Sequence, residues 1–495
     1  LLNTPHYGAT LLRVYERSEE RHKYRFFTVW VSLGLLAVFL VGVRVEWVAA
    51  AMMTLYFSWS PWHFSGQNYG LSLMFLRRGG IEIEPAAKRS LYLFYLVSAA
   101  LPIIVFHSQS GAAFAPDFSS SGREYDILRV GIPMQATLVL APLLLAVELG
   151  ALGRAAWLLR RAGAGGRELG VTGLFALTQS LWFTVPALFS ASGRLLEGMA
   201  FAAVWTSTAH SVQYLWVTSY YARREGRDPN RLLYYGKTLI AGSLIAVLPG
   251  IAAVKLVGTS LSWSGGLAIL VFSVVNLHHF ILDGAIWKLR DGRVAQLLLR
   301  GEGERPDAVG PRAVPVLRPL AYALGIACLA VPLLDIVATR AVRSGDLAHL
   351  ESVARPLGWL GRERMSVLSA LADGYLARGE TERAEATYRH ALSLKRDPTV
   401  LNNLAWLLSM DATGDPERAR EAVSLAEEAV SSLGEADYEA LDTLAVAYAA
   451  AGRYADARRV GARALELARA DQADLASPLA SRLALYQSDR PYRTD

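Results

Sequence analysis

Across 495 residues, 53% are apolar and 19% charged, and the mean hydropathy is +0.26, too greasy a balance for a soluble protein of this length and one fitted to a polytopic membrane protein. The formal charge of +6 is unevenly spread: residues 341–495 sum to −5, leaving +11 for residues 1–340, where basic loops report membrane orientation rather than nucleic-acid binding. The single cysteine, Cys328, excludes a disulfide framework and any thiolate-based zinc or iron–sulfur site.

The chain opens with Arg13, Arg17, Arg21, Lys23 and Arg25 interspersed with Glu16, Glu19 and Glu20, a pattern that predicts a solvated helix within residues 1–25. Apolar runs then predict nine membrane spans, at about 26–43, 47–64, 90–107, 128–152, 171–191, 198–220, 237–257, 265–287 and 317–339. Arg44 and Glu46 leave only a short turn between the first two, and the Ser-rich stretch 108–127 reads as a polar connection. Basic clusters fall on alternate loops: Arg77, Arg78, Lys88 and Arg89; Arg154, Arg160, Arg161 and Arg167; Arg223, Arg224, Arg227 and Arg231; and Lys288, Arg290, Arg293 and Arg300. By the positive-inside rule the N-terminal segment 1–25 is cytoplasmic, residues 26–340 form the membrane domain, and an odd number of spans carries residues 341–495 to the extracytoplasmic side.

Those last residues follow a different pattern. Leu371, Ala372, Tyr375, Gly379, Ala384, Tyr388 and Ala391 fall at the offsets of a helix-pair repeat of about 34 residues, with Pro398 closing the unit. Leu444, Ala445, Tyr448, Gly452, Ala457 and Ala464 do the same 73 residues later, and NNLAWLLSM and SLAEEAVSSL supply the helices of a third repeat lengthened by DATGDPERA. The stretch 366–470 thus resembles tetratricopeptide (TPR) domains, with 341–365 and 471–486 as flanking helices. The resemblance implies an α-solenoid with a groove for a protein or peptide partner. The fold class expected is all-α: a polytopic helix bundle followed by that solenoid.

The membrane half gathers its unusual residues in VFSVVNLHHFILDGAIWKLRDGR, residues 271–293, where an apolar run carries two histidines and an aspartate. Ionisable groups in hydrocarbon cost several kcal/mol each and so face a partner, a cavity or a metal. Asn276, His279, Asp283 and Trp287 recur at spacings of three and four, which puts His279 and Asp283 on one helical face with His278 about 100° away. Of the nine histidines, His6 and His22 fall in the N-terminal segment and His349 and His390 in the tail. His63, His210, His278 and His279 lie at matching depth in the cytoplasmic half of their spans, whereas His107 is at the opposite face. A polar residue follows three of them within a turn: Gln67 after His63, Gln213 and Tyr214 after His210, and Asp283 after His279. Any one of these histidines alone is most simply a hydrogen-bonding residue of the bundle. Four at one depth point to a shared metal, with Asp283 orienting or ligating and Tyr214 donating a proton.

Imidazole and carboxylate without thiolate suit iron, zinc or copper; non-haem iron is favoured, with haem or another transition metal as alternatives. Trp59, Trp62, Phe64 and Tyr69 read as an interfacial belt, with a substrate-pocket wall as the alternative. Through His63, His210, His278 and His279 the membrane half resembles the multi-histidine membrane oxygenases, in particular the Brp/Blh carotene-cleaving type, although it lacks the HxxxH and HxxHH boxes of membrane desaturases. That resemblance implies iron held by histidines from several spans and a lipid-soluble substrate, hence a metal-dependent membrane oxidoreductase. Two other functions compete: a haem-bearing electron-transfer protein with two of these histidines as axial ligands, and a lipid-linked glycosyltransferase carrying a TPR tail. The last lacks the large acidic first external loop that such enzymes use.

The alternation of basic loops is testable with reporter fusions. Fusions after residues 165, 228 and 295 should report the cytoplasm, and those after 120 and 350 the exterior. A cytoplasmic signal at 350 would break the count of nine and relocate the tail.

Overall fold

Residues 3–16, 18–108, 128–191, 198–225, 230–258, 266–287, 317–411, 415–434, 436–471 and 476–493 are described by the computed structural model of the protein, and among them every regular element is a helix. Arg17, Arg227, the basic residues from Lys288 to Arg300, positions 109–127 of the Ser-rich stretch and 412–414 of the polar insertion lie outside the described residues. The chain divides into two compact units, one ending at Leu333 and the other running from Leu334, a few residues before the charge shift near 340.

The helices of the first unit are α1 (Thr4–Tyr15), α2 (Ser18–Lys23), α3 (Ser32–Gly42), α4 (Glu46–Arg78), α5 (Pro85–Phe106), α6 (Met134–Arg161), α7 (Gly166–Gln179), α8 (Val185–Ala191), α9 (Gly198–Arg224), α10 (Arg231–Ala252) and α11 (Ala268–Ile286), followed by α12 (Leu317–Ser344). Six helical stretches are long and apolar enough to cross a bilayer: Pro85–Phe106, Gln135–Arg161, Gly166–Phe189, Arg231–Val257, Ala268–Ile286 and Pro319–Ser344. The other three expected spans are helical but of a different character. Phe26–Gly42 is a shorter apolar helix. The helices α4 and α9 have 33 and 27 residues but are diluted by polar side chains, among them His63, Gln67 and Asn68 on one and His210, Ser211 and Gln213 on the other. Burial ranks the spans: 78% of the apolar window of α11 lies inside the protein, against 22% for Gln135–Arg161 and 17% for Pro319–Ser344. Thus α11 is the central helix, and the stretch that carries His278, His279 and Asp283 is surrounded on its sides by protein.

The N-terminal segment departs from the solvated helix expected of it. His6, Tyr7, Ala9, Thr10 and Val14 on α1 are at most 2% exposed, because α1 packs along α10 and against α9 and α11. Its buried charge is paired within the protein: Arg13 lies 3.0 Å from Glu20, and its guanidinium lies 4.7 Å from the centre of the Tyr221 ring. Lys23 and Arg25 are exposed, as expected, and the uncharged stretch TPHYGATLL is the part that is covered. Two glycines permit the close approach. A β-carbon on Gly8 would stand 1.8 Å from the main-chain oxygen of Thr238, and one on Gly242 would stand 1.9 Å from that of Thr4. Small residues at such crossings let helix backbones touch, where dispersion is strongest.

In the second unit, helices Met365–Ala377, Thr381–Leu394, Pro398–Asp411, Pro416–Leu433, Tyr438–Ala450 and Tyr454–Asp471 each pack on their chain neighbours, around fully buried Ala372, Leu401, Leu408 and Ala445. Internal repetition is visible in the side chains. Tyr375 donates to Glu351 at 2.8 Å under the guanidinium of Arg383, and Tyr448 donates to Glu427 at 2.7 Å under that of Arg453. Gly379 and Gly452, at φ 75° and 73°, end the preceding helices, and the next amides, of Glu380 and Arg453, bond back to the carbonyls of Tyr375 and Tyr448. Gly345, at φ 64°, makes a turn of the same handedness at the end of α12.

Gly8→Ala and Gly242→Ala should each destabilise the solubilised protein by about 1–3 kcal/mol through overpacking against backbone. Gly236→Ala on the same α10, where a methyl meets no atom within 4 Å, should be neutral or stabilising. Thermal unfolding in detergent measures the contrast, and equal melting temperatures for all three variants would mean that α1 does not dock this closely.

Candidate metal centre

The central helix sets the problem that its neighbours solve. Helical spacing aligns His279 and Asp283 on one face of α11, 2% and 8% exposed, and nothing on α11 alone can satisfy an imidazole and a carboxylate at that depth. Three helices bring the complement: α1 supplies His6 and Thr10, α4 supplies His63, and α9 supplies His210 and Tyr214. The four imidazoles converge. Ring centres lie 4.5 Å apart for His6 and His279, 5.1 Å for His63 and His279, 5.2 Å for His63 and His210, 5.5 Å for His6 and His210, and 6.3 Å for His210 and His279.

Hydrogen bonds fix which nitrogens face the middle. His6 Nδ1 donates to the Asn3 carbonyl at 2.5 Å, which leaves the Nε2 lone pair outward. Tyr214 donates to Asp283 Oδ1 at 2.7 Å and accepts from Trp287 Nε1 at 2.9 Å. Thr10 Oγ1 lies 3.1 Å from the same carboxylate oxygen, to which it donates, so it accepts from His279 Nδ1 at 2.9 Å and leaves His279 Nε2 to the centre. The other carboxylate oxygen, Oδ2, is 3.4 Å from His279 Nε2 and 3.9 Å from His63 Nε2. His63 Nε2, His279 Nε2 and both nitrogens of His210 are buried without a hydrogen-bond partner among the described residues. Buried polar atoms are almost always bonded, and three imidazoles, His63, His210 and His279, each with an unbonded nitrogen in one place, match the donor set of a cation.

Two ligand groups have all their donor atoms within 4.8 Å of one another: His6, His210 and His279, and separately His63, His279 and Asp283. The first is an all-imidazole face and the second a two-histidine, one-carboxylate face, both of them sets that bind first-row transition metals. Of the residues singled out from sequence, His63, His210, His279, Asp283 and Tyr214 therefore meet, whereas His278 does not join them. Adjacent helical residues diverge by about 100°, and His278 Nε2 is instead 2.7 Å from Ser32 Oγ on α3. His107 is placed elsewhere, 2.9 Å from Ser58 Oγ. The expected partners one turn on also differ. Gln67 donates to Gln213 and to the main-chain oxygen of His210, so both glutamines brace the α4–α9 contact rather than an imidazole ring. His279 is near its own neighbour, Asp283, and the His210 ring centre lies 6.2 Å from that of Tyr214. Sequence reasoning missed His6 and Thr10, for which the available signal was a four-residue spacing inside an uncharged stretch.

Beside the centre lies a cavity of about 350 Å³, walled by Trp59, Trp62, Phe280 and Trp287, with His63, Tyr214 and Asp283 at its polar end. The tryptophans read from sequence as a belt thus line a pocket, while Phe64 packs 4.3 Å from the His210 ring and Tyr69 sits against Tyr92 and Tyr95. Comparison with models of known protein families and with curated proteins finds no match to this chain.

Replacing His6, His63, His210 or His279 by Ala should each reduce bound transition metal by about tenfold or more, as loss of a ligand exceeds loss of an outer partner. His107→Ala and His278→Ala should retain it. Elemental analysis of the purified variants decides, and full metal content in all four of the first group would return these histidines to structural roles.

Proposed function

We propose that the first unit is a histidine-ligated, non-haem iron oxidoreductase acting on a lipid-soluble substrate. The observation that carries this reading is the set of unpartnered imidazole nitrogens from α4, α9 and α11, closed by His6 of α1, inside a bundle of membrane-length helices. The carboxylate face of His63, His279 and Asp283 favours iron over zinc, since two histidines and one carboxylate are the donor set of open non-haem iron sites. The crowding of the rings weighs against haem, because the space a porphyrin would need between two axial imidazoles holds the other two. An iron ion bound there would supply redox and Lewis-acid chemistry.

The remaining roles belong to the side chains. Thr10 and Asn3 hold His279 and His6 in the tautomer that presents Nε2. Tyr214, fixed between Trp287 and Asp283, borders the cavity and holds its proton on Asp283, through which it would reach a bound substrate. The aromatic wall excludes water from the polar end. Around this centre the reading includes nine spans, with α4, α9 and Phe26–Gly42 joining the six apolar helices, a cytoplasmic N-terminus and an extracytoplasmic second unit. That unit is read as a TPR solenoid for a protein or peptide partner, on the strength of the repeated Tyr–Glu–Arg trios and glycine turns.

Purified full-length protein should contain close to stoichiometric iron and show no porphyrin absorption band. Asp283→Asn should keep the fold while lowering iron content more than zinc uptake, since the neutral amide weakens the carboxylate face. A porphyrin band would replace this reading with the electron-transfer one, and zinc as the sole metal would remove the redox chemistry.

A further inference from the structure

The cavity beside the metal centre has a floor without side chains. Gly66 and Gly70 lie one turn apart on α4, Gly284 lies on α11, and all three line the cavity. A β-carbon at any of them would meet no atom within 4 Å. Glycine at these positions is therefore not required by packing, and its effect is to leave bare backbone facing the cavity. The walls are flat: Trp59 and Phe280 have ring centres 6.2 Å apart, and Phe280 stacks on His63 at 4.2 Å and 23°. A second feature points to a ligand independently of the glycines. The Asp283 side chain is 8% exposed and borders the cavity, and its Oδ2 is left over from the hydrogen bonds that Tyr214 and Thr10 donate to Oδ1.

The polar end selects among lipid head groups. Asp283 Oδ1 already accepts from Tyr214 and Thr10, so the Tyr214 proton is committed, whereas Asp283 Oδ2 is an acceptor with a lone pair to spare even beside a cation. Among the described residues no lysine or arginine lines the cavity. A carboxylate or phosphate head would therefore face Asp283 without a neutralising side chain in a region of low dielectric, and an ammonium head would face the metal. A neutral hydroxyl supplies the missing donor at no such cost.

We propose that this cavity binds a lipid-soluble phenol or alcohol with a flat, unsaturated body, which lies on the floor of Gly66, Gly70 and Gly284 and donates its hydroxyl proton to Asp283 Oδ2. The proposal rests on the metal-centre reading for what happens to the hydroxyl end, and on the cavity alone for binding.

Full-length protein in detergent is equilibrated with 4-nonylphenol, with nonylbenzene, which lacks the hydroxyl, and with 4-nonylbenzoate, which is anionic. Nonylphenol should bind at least about tenfold more tightly than either analogue, the factor expected of a hydrogen bond to a charged acceptor. Gly66→Leu and Gly284→Leu, which fill the floor, should each weaken nonylphenol binding by a similar factor with bound metal unchanged. If Gly66→Leu also lost metal, Gly284→Leu would decide. Equal binding of the three probes, or unaltered nonylphenol binding in a glycine variant that keeps its metal, overturns the proposal. Selective, glycine-dependent binding by protein that holds no metal would uphold the chamber and sink the metal centre, and metal retained without selectivity would do the reverse.

Discussion

The desolvation of Asp283 and His279 on α11 is the constraint from which the rest of the first unit follows. A carboxylate and an imidazole on one face of the most buried helix must be satisfied by groups from other helices, because water is excluded there and an unmet polar group costs several kcal/mol. Thr10, Tyr214 and Trp287 meet the demand of Asp283 Oδ1 and His279 Nδ1. They do so while leaving His279 Nε2 unpaired, and this division of the imidazole into a tied edge and an open edge is how a metal-binding histidine is held.

The bundle pays for this arrangement in hydropathy on the helices that contribute to it. Both α4 and α9 are too polar to resemble simple spans, since they carry His63, Gln67, Asn68, His210 and Gln213. These residues are linked to one another: Gln67 with Gln213, Gln213 with Asn68 at 3.1 Å, and Asn68 with Gln179 at 2.9 Å. Position is thereby transmitted from α7 through α4 to α9, which restrains where His63 and His210 can stand. The fourth contributor, α1, is held by a backbone-to-backbone crossing at Gly8 and Gly242, so the centre is complete only when the N-terminal helix is docked. Under the proposed function, an ion that needs His6 would stabilise the docked state.

Different physics governs the second unit. Its ion pairs, such as Arg389 with Glu421 and Arg383 with Glu351, join partly exposed residues 32 positions apart and contribute about 0–1 kcal/mol each. Their regular spacing repeats one helix-pair geometry, while the buried alanines and leucines between helices supply the stability.

Hydropathy by itself determined that this chain is helical and membrane-like in its first 340 residues, because an apolar run long enough to cross a bilayer survives in one dimension, and the charge shift near 340 lies close to the boundary between the two units. Helical spacing also placed His279 and Asp283 on one face, and depth along the spans singled out His63 and His210. The tertiary structure alone decided which of the ring nitrogens meet. His278 was lost from the set because a rotation of about 100° sends it to Ser32, and the sequence pattern does not say which face of α11 looks at α4 and α9. His6 was gained because α1, whose one charged residue is Arg13, can bury itself when that charge meets Glu20, and pairing between residues is a property of three dimensions that composition cannot carry.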